Sequence, residues 1–214
     1  MKKTILTIIL TIFAVVILVI LANFIRNFLL LNKLINKDYK MENYKYTISN
    51  IDTTKTEEIS YMSYYKKDNM GKTEQVYKGE IILQIISDSN TNKAYIVDAN
   101  GKATLEEKTR QGVPEEVPSI KYAIENPTFN IFSYSITHIL PTIDINGRKC
   151  IPIKLEDELY YIEKDTGYLV RKQNNIGRYS GASLEEEGYL ITDYTPIEQN
   201  VVTDEDVAIP ETVQ

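Results

Sequence analysis

The chain has 214 residues, 43 % of them hydrophobic and 25 % charged, a composition that is typical of a folded protein and argues against disorder. It contains one Cys and one His, which excludes an internal disulfide and a Cys/His zinc cluster. Residues 1–37 carry five basic and no acidic side chains, so the rest of the chain holds 19 basic and 30 acidic side chains, a net charge of −11. An acidic body does not suit nucleic acid, because phosphate binding needs Lys and Arg.

The first element in chain order is an apolar run behind two N-terminal lysines. Residues 4–25, TILTIILTIFAVVILVILANFI, contain no charged side chain. A helix of this length spans about 33 Å, against a hydrocarbon core of about 30 Å. The run is longer than the apolar core of a signal peptide, and the bulky Ile20 does not suit a cleavage site. We therefore predict an uncleaved anchor in the cell membrane, with these side chains in the bilayer: Thr4, Ile12, Val16, Ile20 and Ile25.

Charges on the two sides of this run nearly balance. The amino terminus, Lys2 and Lys3 precede it, and the basic residues that follow it are Arg26, Lys33, Lys37 and Lys40. A short basic N-terminus before a first apolar helix favours export, so we expect a single-pass protein whose C-terminal domain is extracytoplasmic.

Helical spacing of apolar residues continues beyond the run. Phe24, Phe28, Leu31 and Leu34 form one stripe, which predicts a stalk helix or a helix that packs against the body. A dedicated dimer seam is less well supported, because the stripe is shorter than three heptads.

From residue 42 the pattern changes to alternation. Tyr44, Tyr46 and Ile48 alternate with polar residues, which predicts a strand with these side chains on one face. The segment EIILQIIS, residues 80–87, is apolar on both faces and predicts a strand covered on both sides.

Turn signals separate the predicted strands. Asn-Gly pairs occur at 100–101 and 146–147, and Asp-Thr-Gly occupies 165–167; Asn-Gly hairpin turns need positive φ at both residues. The turns predict an antiparallel meander of about eight to ten strands. The acidic tail, residues 201–214, is expected to form an edge strand and a loose terminus.

Residues 115–140 interrupt the strand pattern with apolar positions at helical spacing, and predict two short helices between the halves of the meander. The predicted fold class is α+β: an N-terminal transmembrane helix followed by a curved antiparallel sheet, or half-barrel, with helices on one face. The predicted divisions are an anchor and stalk helix at 1–37, a sheet domain at 38–200 and the tail.

Candidate catalytic residues are few. His138 lies in an apolar stretch without an accompanying nucleophile motif, and Cys150 lies in a predicted strand, where a buried inert thiol is expected. The acidic clusters lack metal-loop spacing, and no phosphate-binding glycine motif is present. We expect no catalytic residue, metal or cofactor, and a protein that is not an enzyme.

Sixteen tyrosines are the main positive feature, and many lie on predicted strands. Tyr favours strands and fills cores, so a purely structural role explains much of this content. The alternative is an apolar groove on the sheet beneath the inserted helices, able to hold acyl chains or an apolar segment of a partner. The candidate lining residues are Tyr65, Ile82, Leu83, Ile85, Ile124, Phe129, Phe132 and Tyr161.

Two segments, NGRKCIPIKLEDELYYIEKDTGYLVRKQ at 146–173 and ITDYTPIEQNVVTDEDVAIPE at 191–211, resemble Gram-positive members of the LolA/LolB-like superfamily. The resemblance covers most of residues 38–211 and implies lipid-binding relatives and envelope sensors without catalytic residues. One spore-forming branch of the superfamily binds a cell-wall amidase. For this chain, the resemblance therefore also implies a protein partner. This chain differs from the lipoprotein members in having an anchor helix instead of an acylated Cys, which implies a fixed module rather than a shuttling carrier.

Together these features predict a non-enzymatic, membrane-anchored extracytoplasmic module that binds a lipid or another apolar ligand in a sheet groove. The alternative is a protein-interaction module that regulates a cell-envelope or cell-wall enzyme or a signalling partner. The expected partners are the lipid bilayer, through the N-terminal helix, and an acyl lipid or an envelope protein, but not nucleic acid.

Overall fold

The computed structural model describes residues 2–53, 60–98, 100–106, 114, 116–125, 129–137, 142–156, 158–175 and 188–210. Its first element is a helix of 34 residues, α1 (Lys2–Ile35), which is apolar and exposed over its N-terminal two thirds.

Within the described residues, twelve strands and two short helices follow α1. The first six strands are β1 (Asn43–Asp52), β2 (Tyr61–Lys67), β3 (Met70–Tyr77), β4 (Glu80–Asp88), β5 (Lys93–Val97) and β6 (Ala103–Glu106). The helices are α2 (Lys121–Ile124) and α3 (Ile131–Thr137). The remaining strands are β7 (Ile143–Ile145), β8 (Arg148–Leu155), β9 (Glu158–Glu163), β10 (Leu169–Asn175), β11 (Tyr189–Tyr194) and β12 (Glu198–Gln199).

The strands form one antiparallel sheet in the order β6-β5-β4-β3-β2-β1-β11-β10-β9-β8-β7, with β12 paired to β1. The sheet therefore consists of two meanders, β1–β6 and β7–β11, joined where β1 pairs with β11. Because β6 and β7 are its edges, the sheet is open and does not close into a barrel. This confirms the predicted α+β class, while the twelve strands exceed the predicted eight to ten because β7 and β12 are only three and two residues long.

Alternation along β1 defines the two faces of the sheet. Tyr44, Tyr46 and Ile48 lie on one face, here called the inner face, as their alternation predicts. Thr47 lies on the opposite, outer face, where its hydroxyl is 2.9 Å from that of Ser63 on β2.

The main core lies between the inner face and the helices. Leu31 and Leu34 of α1 and Ala123 of α2 are buried there against β1 and the second meander. The helical stripe of the sequence thus marks a helix that packs against the body. Core side chains from the second meander are Ile151, Ile153, Leu155, Tyr160, Ile162 and Leu169.

Polar contacts fix the C-terminal end of α1 to the sheet. The Tyr39 hydroxyl donates to the Leu34 carbonyl oxygen at 2.8 Å, and the Lys37 ammonium donates to the Thr166 carbonyl oxygen at 2.8 Å. Gly167 has φ of 79°, and a Cβ at this position would lie 2.0 Å from the Tyr39 hydroxyl oxygen. The β9–β10 turn therefore requires glycine twice over, for its backbone conformation and for the close approach of Tyr39.

The two Asn-Gly turns differ. Asn146 and Gly147 both have positive φ, 53° and 78°, as a two-residue hairpin requires. At the other pair Gly101 has φ of 78° and its N–H donates to the Asp98 carbonyl oxygen at 2.9 Å, so this turn is longer than the two-residue turn expected from the sequence. The reason is Asp98, whose carboxylate accepts hydrogen bonds from the backbone N–H groups of Asn100 and Lys102 at 2.9 Å and stabilises a longer turn.

The C-terminal tail packs on the outer face instead of forming an edge strand beyond β12. Residues 205–207 form a 3₁₀ turn, and Val202 and Val207 are buried. The Lys67 ammonium on β2 lies 2.6 Å from an Asp204 carboxylate oxygen. The prediction of an edge strand in the tail at 201–214 is therefore wrong for residues 201–210, because the two valines bury their side chains against the sheet; residues 211–214 lie outside the described residues.

Candidate functional site

The inner face has a covered half, which belongs to the main core, and a second half, here called the open half, which the main core of the described residues does not include. Core packing of the helices reaches as far as Tyr64 on β2, but the main core of the described residues does not include Leu83, Ile85 or Ile96 on β4 and β5. Strand pairing aligns Tyr64, Thr73, Ile85 and Ile96 across β2–β5 on the inner face. Gln75 and Leu83 form a neighbouring pair on the same face. We call these six residues the inner strip.

Stacked tyrosines lead from the covered half to the inner strip. The ring centroids of Tyr44 and Tyr46 are 5.9 Å apart, and those of Tyr46 and Tyr64 are 4.8 Å apart at an interplanar angle of 15°. Burial, followed by the proximity of other tyrosines, raises the pKa of Tyr46 and of Tyr44 far above the usual value. These hydroxyls stay neutral, so the rings form an uncharged wall.

Tyr122 of α2 is exposed, and its hydroxyl is close enough to those of Tyr44 and Tyr46 to contribute, after burial, to their raised pKa values. Electrostatic coupling to Tyr122 contributes to the raised pKa values of Tyr64 and Tyr194, in each case after burial. Tyr122 is therefore positioned beside the place where the covered half gives way to the inner strip.

Polar groups are also present on the inner face. Thr73 and Gln75 place a hydroxyl and an amide inside the otherwise aliphatic inner strip. Across the sheet, the Lys172 ammonium is 2.7 Å from a Glu158 carboxylate oxygen. Burial raises the pKa of Glu158, but hydrogen bonds from Lys172 and Tyr160 outweigh it and the net shift is downward. The Asn174 side-chain oxygen beside this pair is buried without a hydrogen-bond partner among the described residues.

The eight residues predicted to line a groove do not share one surface. Leu83 and Ile85 lie on the inner strip, and Ile124 and Phe129 pack against the main core. Ile82 is 55 % exposed at a register shift of the β3–β4 pair.

The other three predicted residues lie elsewhere. Tyr65 and Tyr161 are on the outer face; the ammonium groups of Lys45 and Lys72 flank the Tyr65 ring, with Lys72 Nζ 4.4 Å from its centroid. Phe132 of α3 contacts Phe24 of α1. Two of the eight predicted residues, Leu83 and Ile85, therefore belong to the inner strip. The inner strip also contains Tyr64 and Ile96, which were not among the predicted lining residues.

The remaining chemical candidates are on the outer face or outside the described residues. Cys150 is buried, as expected, and burial raises the pKa of its thiol to about 11. His138 lies outside the described residues. Within the described ranges no group of three or more His, Cys, Asp or Glu side chains is arranged to hold a metal ion.

A cleft of about 780 Å³ lies between the α1–β1 connection and the β2–β3 turn. Its lining is charged and polar: Asp38, Lys40, Met41, Glu42, Lys66, Asp68 and Asn69. This lining does not suit an apolar ligand.

No protein-family model matches the chain, and no curated protein matches it. Among solved structures, a domain proposed to be an outer membrane lipoprotein-sorting protein of Vibrio parahaemolyticus is 9 % identical, with 86 % of this chain and 97 % of that chain covered at a TM-score of 0.31. A LolA superfamily protein of Nitrosomonas europaea is 8 % identical, with 84 % and 96 % covered at a TM-score of 0.30. At these TM-scores the likeness carries no argument of its own, and the fold class rests on the strand order above.

Proposed function

We propose that this protein is a non-enzymatic, membrane-anchored, extracytoplasmic module that binds a lipid acyl chain or another apolar ligand on the inner strip. The observation that carries this proposal is the set of aliphatic side chains on the inner face of β4 and β5, which the sheet aligns beside a tyrosine wall but which the main core does not include. Thr73 and Gln75 supply hydrogen-bonding groups at the same surface, as apolar ligand sites commonly do.

The anchor part of the proposal rests on α1. Thr4–Ile35 is a helix long and apolar enough to cross a membrane, with a mean hydropathy of 3.3 over its most apolar window. The predicted anchor side chains from Thr4 to Ile25 are exposed, as they would be if lipid surrounded them. The division at 1–37, 38–200 and 201–214 stays a prediction, and Leu31 and Leu34 link its first two parts.

Native mass spectrometry of the full chain, released from detergent, tests the ligand part of this proposal. We expect retained lipid on the natural protein and a loss of that lipid in Leu83→Asp, which places a charge on the inner strip. Ile81→Asp is the matched control, because Ile81 is on the same strand but pairs with Val76 on the outer face and is 50 % exposed. Equal lipid retention by both variants would contradict the proposal, since annular lipid around α1 responds to neither change.

A protein-interaction module is the second candidate function. Tyr61 and Ile81 pair with Val76 from its two sides on the outer face, and both are exposed, which provides an apolar surface for contact with an envelope protein. Site-specific photocrosslinking from position 81 in the native membrane tests it: a single protein partner captured there, and not from position 93, would favour this candidate over lipid binding.

A further inference from the structure

An aromatic contact joins α3 to α1 close to the end of the apolar run. The rings of Phe24 and Phe132 lie 5.2 Å apart, edge to face at 72°. Phe24 also contacts Phe28, with ring centroids 5.8 Å apart. The exposed side of α3 is therefore fixed at the height of Phe24 on α1.

Helix geometry relates this height to a bilayer. The charge-free run from Thr4 to Ile25 spans about 33 Å, slightly more than a hydrocarbon core of about 30 Å. Phe24 is then at the boundary of the hydrocarbon, where a polar interfacial layer of roughly 5–7 Å begins. Phe132, in contact with Phe24, lies at the same depth.

Apolar side chains remain exposed around this contact. Phe132 is 57 % exposed and Leu29 is 60 % exposed, whereas Leu31 and Leu34 on the next turns of α1 are buried in the main core. Beyond Ile25, one apolar side of α1, with Leu31 and Leu34, is buried in the main core. Another apolar side, with Leu29, is not covered by the described residues. We call Ile25, Leu29 and Phe132 the interfacial patch.

Contacts at the C-terminal end of α1 fix the helix to the sheet domain. The Tyr39 hydroxyl donates to the Leu34 carbonyl oxygen, and the Lys37 ammonium donates to the Thr166 carbonyl oxygen in the β9–β10 turn. Leu31 and Leu34 are buried in the main core. The body is consequently held at the depth that the membrane-spanning run dictates.

We propose that the interfacial patch binds the bilayer interface, so that α3 lies in the headgroup region and the body rests on the membrane instead of standing off on a stalk. The occupant is a lipid surface, because the patch is continuous with the helix segment that enters the bilayer. The proposal depends on the anchor part of the proposed function and does not require a ligand on the inner strip.

The chain contains no Trp, so each single substitution to Trp gives one fluorophore. Full-length F132W and L29W are reconstituted in phosphatidylcholine vesicles with or without bromine on the acyl chains. I25W marks the depth of the hydrocarbon boundary. K33W marks a position about 12 Å further along α1, at an exposed site beyond the interfacial layer.

We expect bromolipid to quench F132W and L29W nearly as strongly as I25W and far more strongly than K33W. Quenching of both variants no stronger than that of K33W, with I25W quenched, would overturn the interfacial patch while leaving the anchor intact. Failure to quench I25W as well would overturn the anchor and, with it, this proposal. Both Phe132 and Leu29 are exposed, so substitution there leaves the core unaltered.

Discussion

The two halves of the inner face are built from similar strands but have different surroundings. In the covered half, Tyr44, Tyr46 and the aliphatic side chains of β8 and β9 are buried beneath α1, α2 and α3. In the open half, Leu83 and Ile96 are partly buried and Ile85 is 8 % exposed, and β3 contributes Thr73 and Gln75 to the same face. The covered half therefore contains the main core that stabilises the fold, whereas the open half lies outside that core.

This separation has a consequence for mutagenesis. If the proposed function holds, changes in the covered half are expected to act mainly on the free energy of unfolding, and changes on the inner strip mainly on ligand retention. The following experiments test whether the two halves respond as differently as their surroundings indicate.

The largest effect is expected where α1 enters the covered half. Leu31→Ala removes a fully buried side chain, and we expect a loss of about 2–5 kcal/mol in the free energy of unfolding. Leu29→Ala, two residues earlier on the exposed side of the same helix, is expected to change it by less than about 0.5 kcal/mol. Denaturant unfolding of the full chain in detergent, followed by near-ultraviolet circular dichroism, measures both. Equal effects would contradict the placement of α1 in the core.

Alkaline pH is expected to destabilise the covered half next. Because burial raises the pKa of Tyr46 above its unfolded value of 10.0, the stability that this group contributes is present below pH 10.0 and is lost as pH rises. For each pH unit above 10.0, each buried tyrosine that stays protonated lowers the free energy of unfolding by about 1.4 kcal/mol. Tyr44 and Tyr194 add to the loss in the same direction.

The measurement is a pH titration of tyrosinate absorbance with circular dichroism on the same samples. Buried tyrosines are expected to ionise together with loss of structure, and Tyr46→Phe is expected to move that transition to higher pH. Ionisation of all tyrosines near pH 10.0 with the fold retained would show that the wall is accessible to water.

The smallest effect on stability is expected in the open half. Leu83→Ala shortens a side chain that is only partly buried, and we expect a change of less than about 1 kcal/mol in the free energy of unfolding. Lipid retention is expected to fall in the same variant, because the aliphatic surface is reduced. A large loss of stability with unchanged lipid retention would assign Leu83 to the core and remove the distinction between the halves.

The sequence predicted the elements of this fold better than their mutual arrangement. Alternation in NYKYTIS and the Asn-Gly pair at 146–147 identified strands and a hairpin because these signals are local. The pairing of β1 with β11 joins residues about 140 positions apart, and no local pattern encodes it.

The same limitation explains the groove residues. Tyr64 and Tyr65 are adjacent, so only the register with β1 decides that Tyr64 is on the inner face and Tyr65 on the outer face. Ile82, Leu83 and Ile85 lie in a run that is apolar on both faces, and the register shift after Gln75 changes which side chains point inward. The sequence analysis chose Leu83 and Ile85 as lining residues because they lie in an apolar run. The place of Ile96 on the inner face follows only from its pairing with Ile85 between β4 and β5.

Photolabelling by a phosphatidylcholine that carries a diazirine on its acyl chain tests the central claim most directly. The full chain is irradiated in vesicles of this lipid, and the labelled peptides are located by mass spectrometry. Our account predicts labels on β4 and β5, at Leu83, Ile85 or Ile96, in addition to those on α1. Labels confined to α1 and α3 would contradict an apolar ligand site on the inner strip.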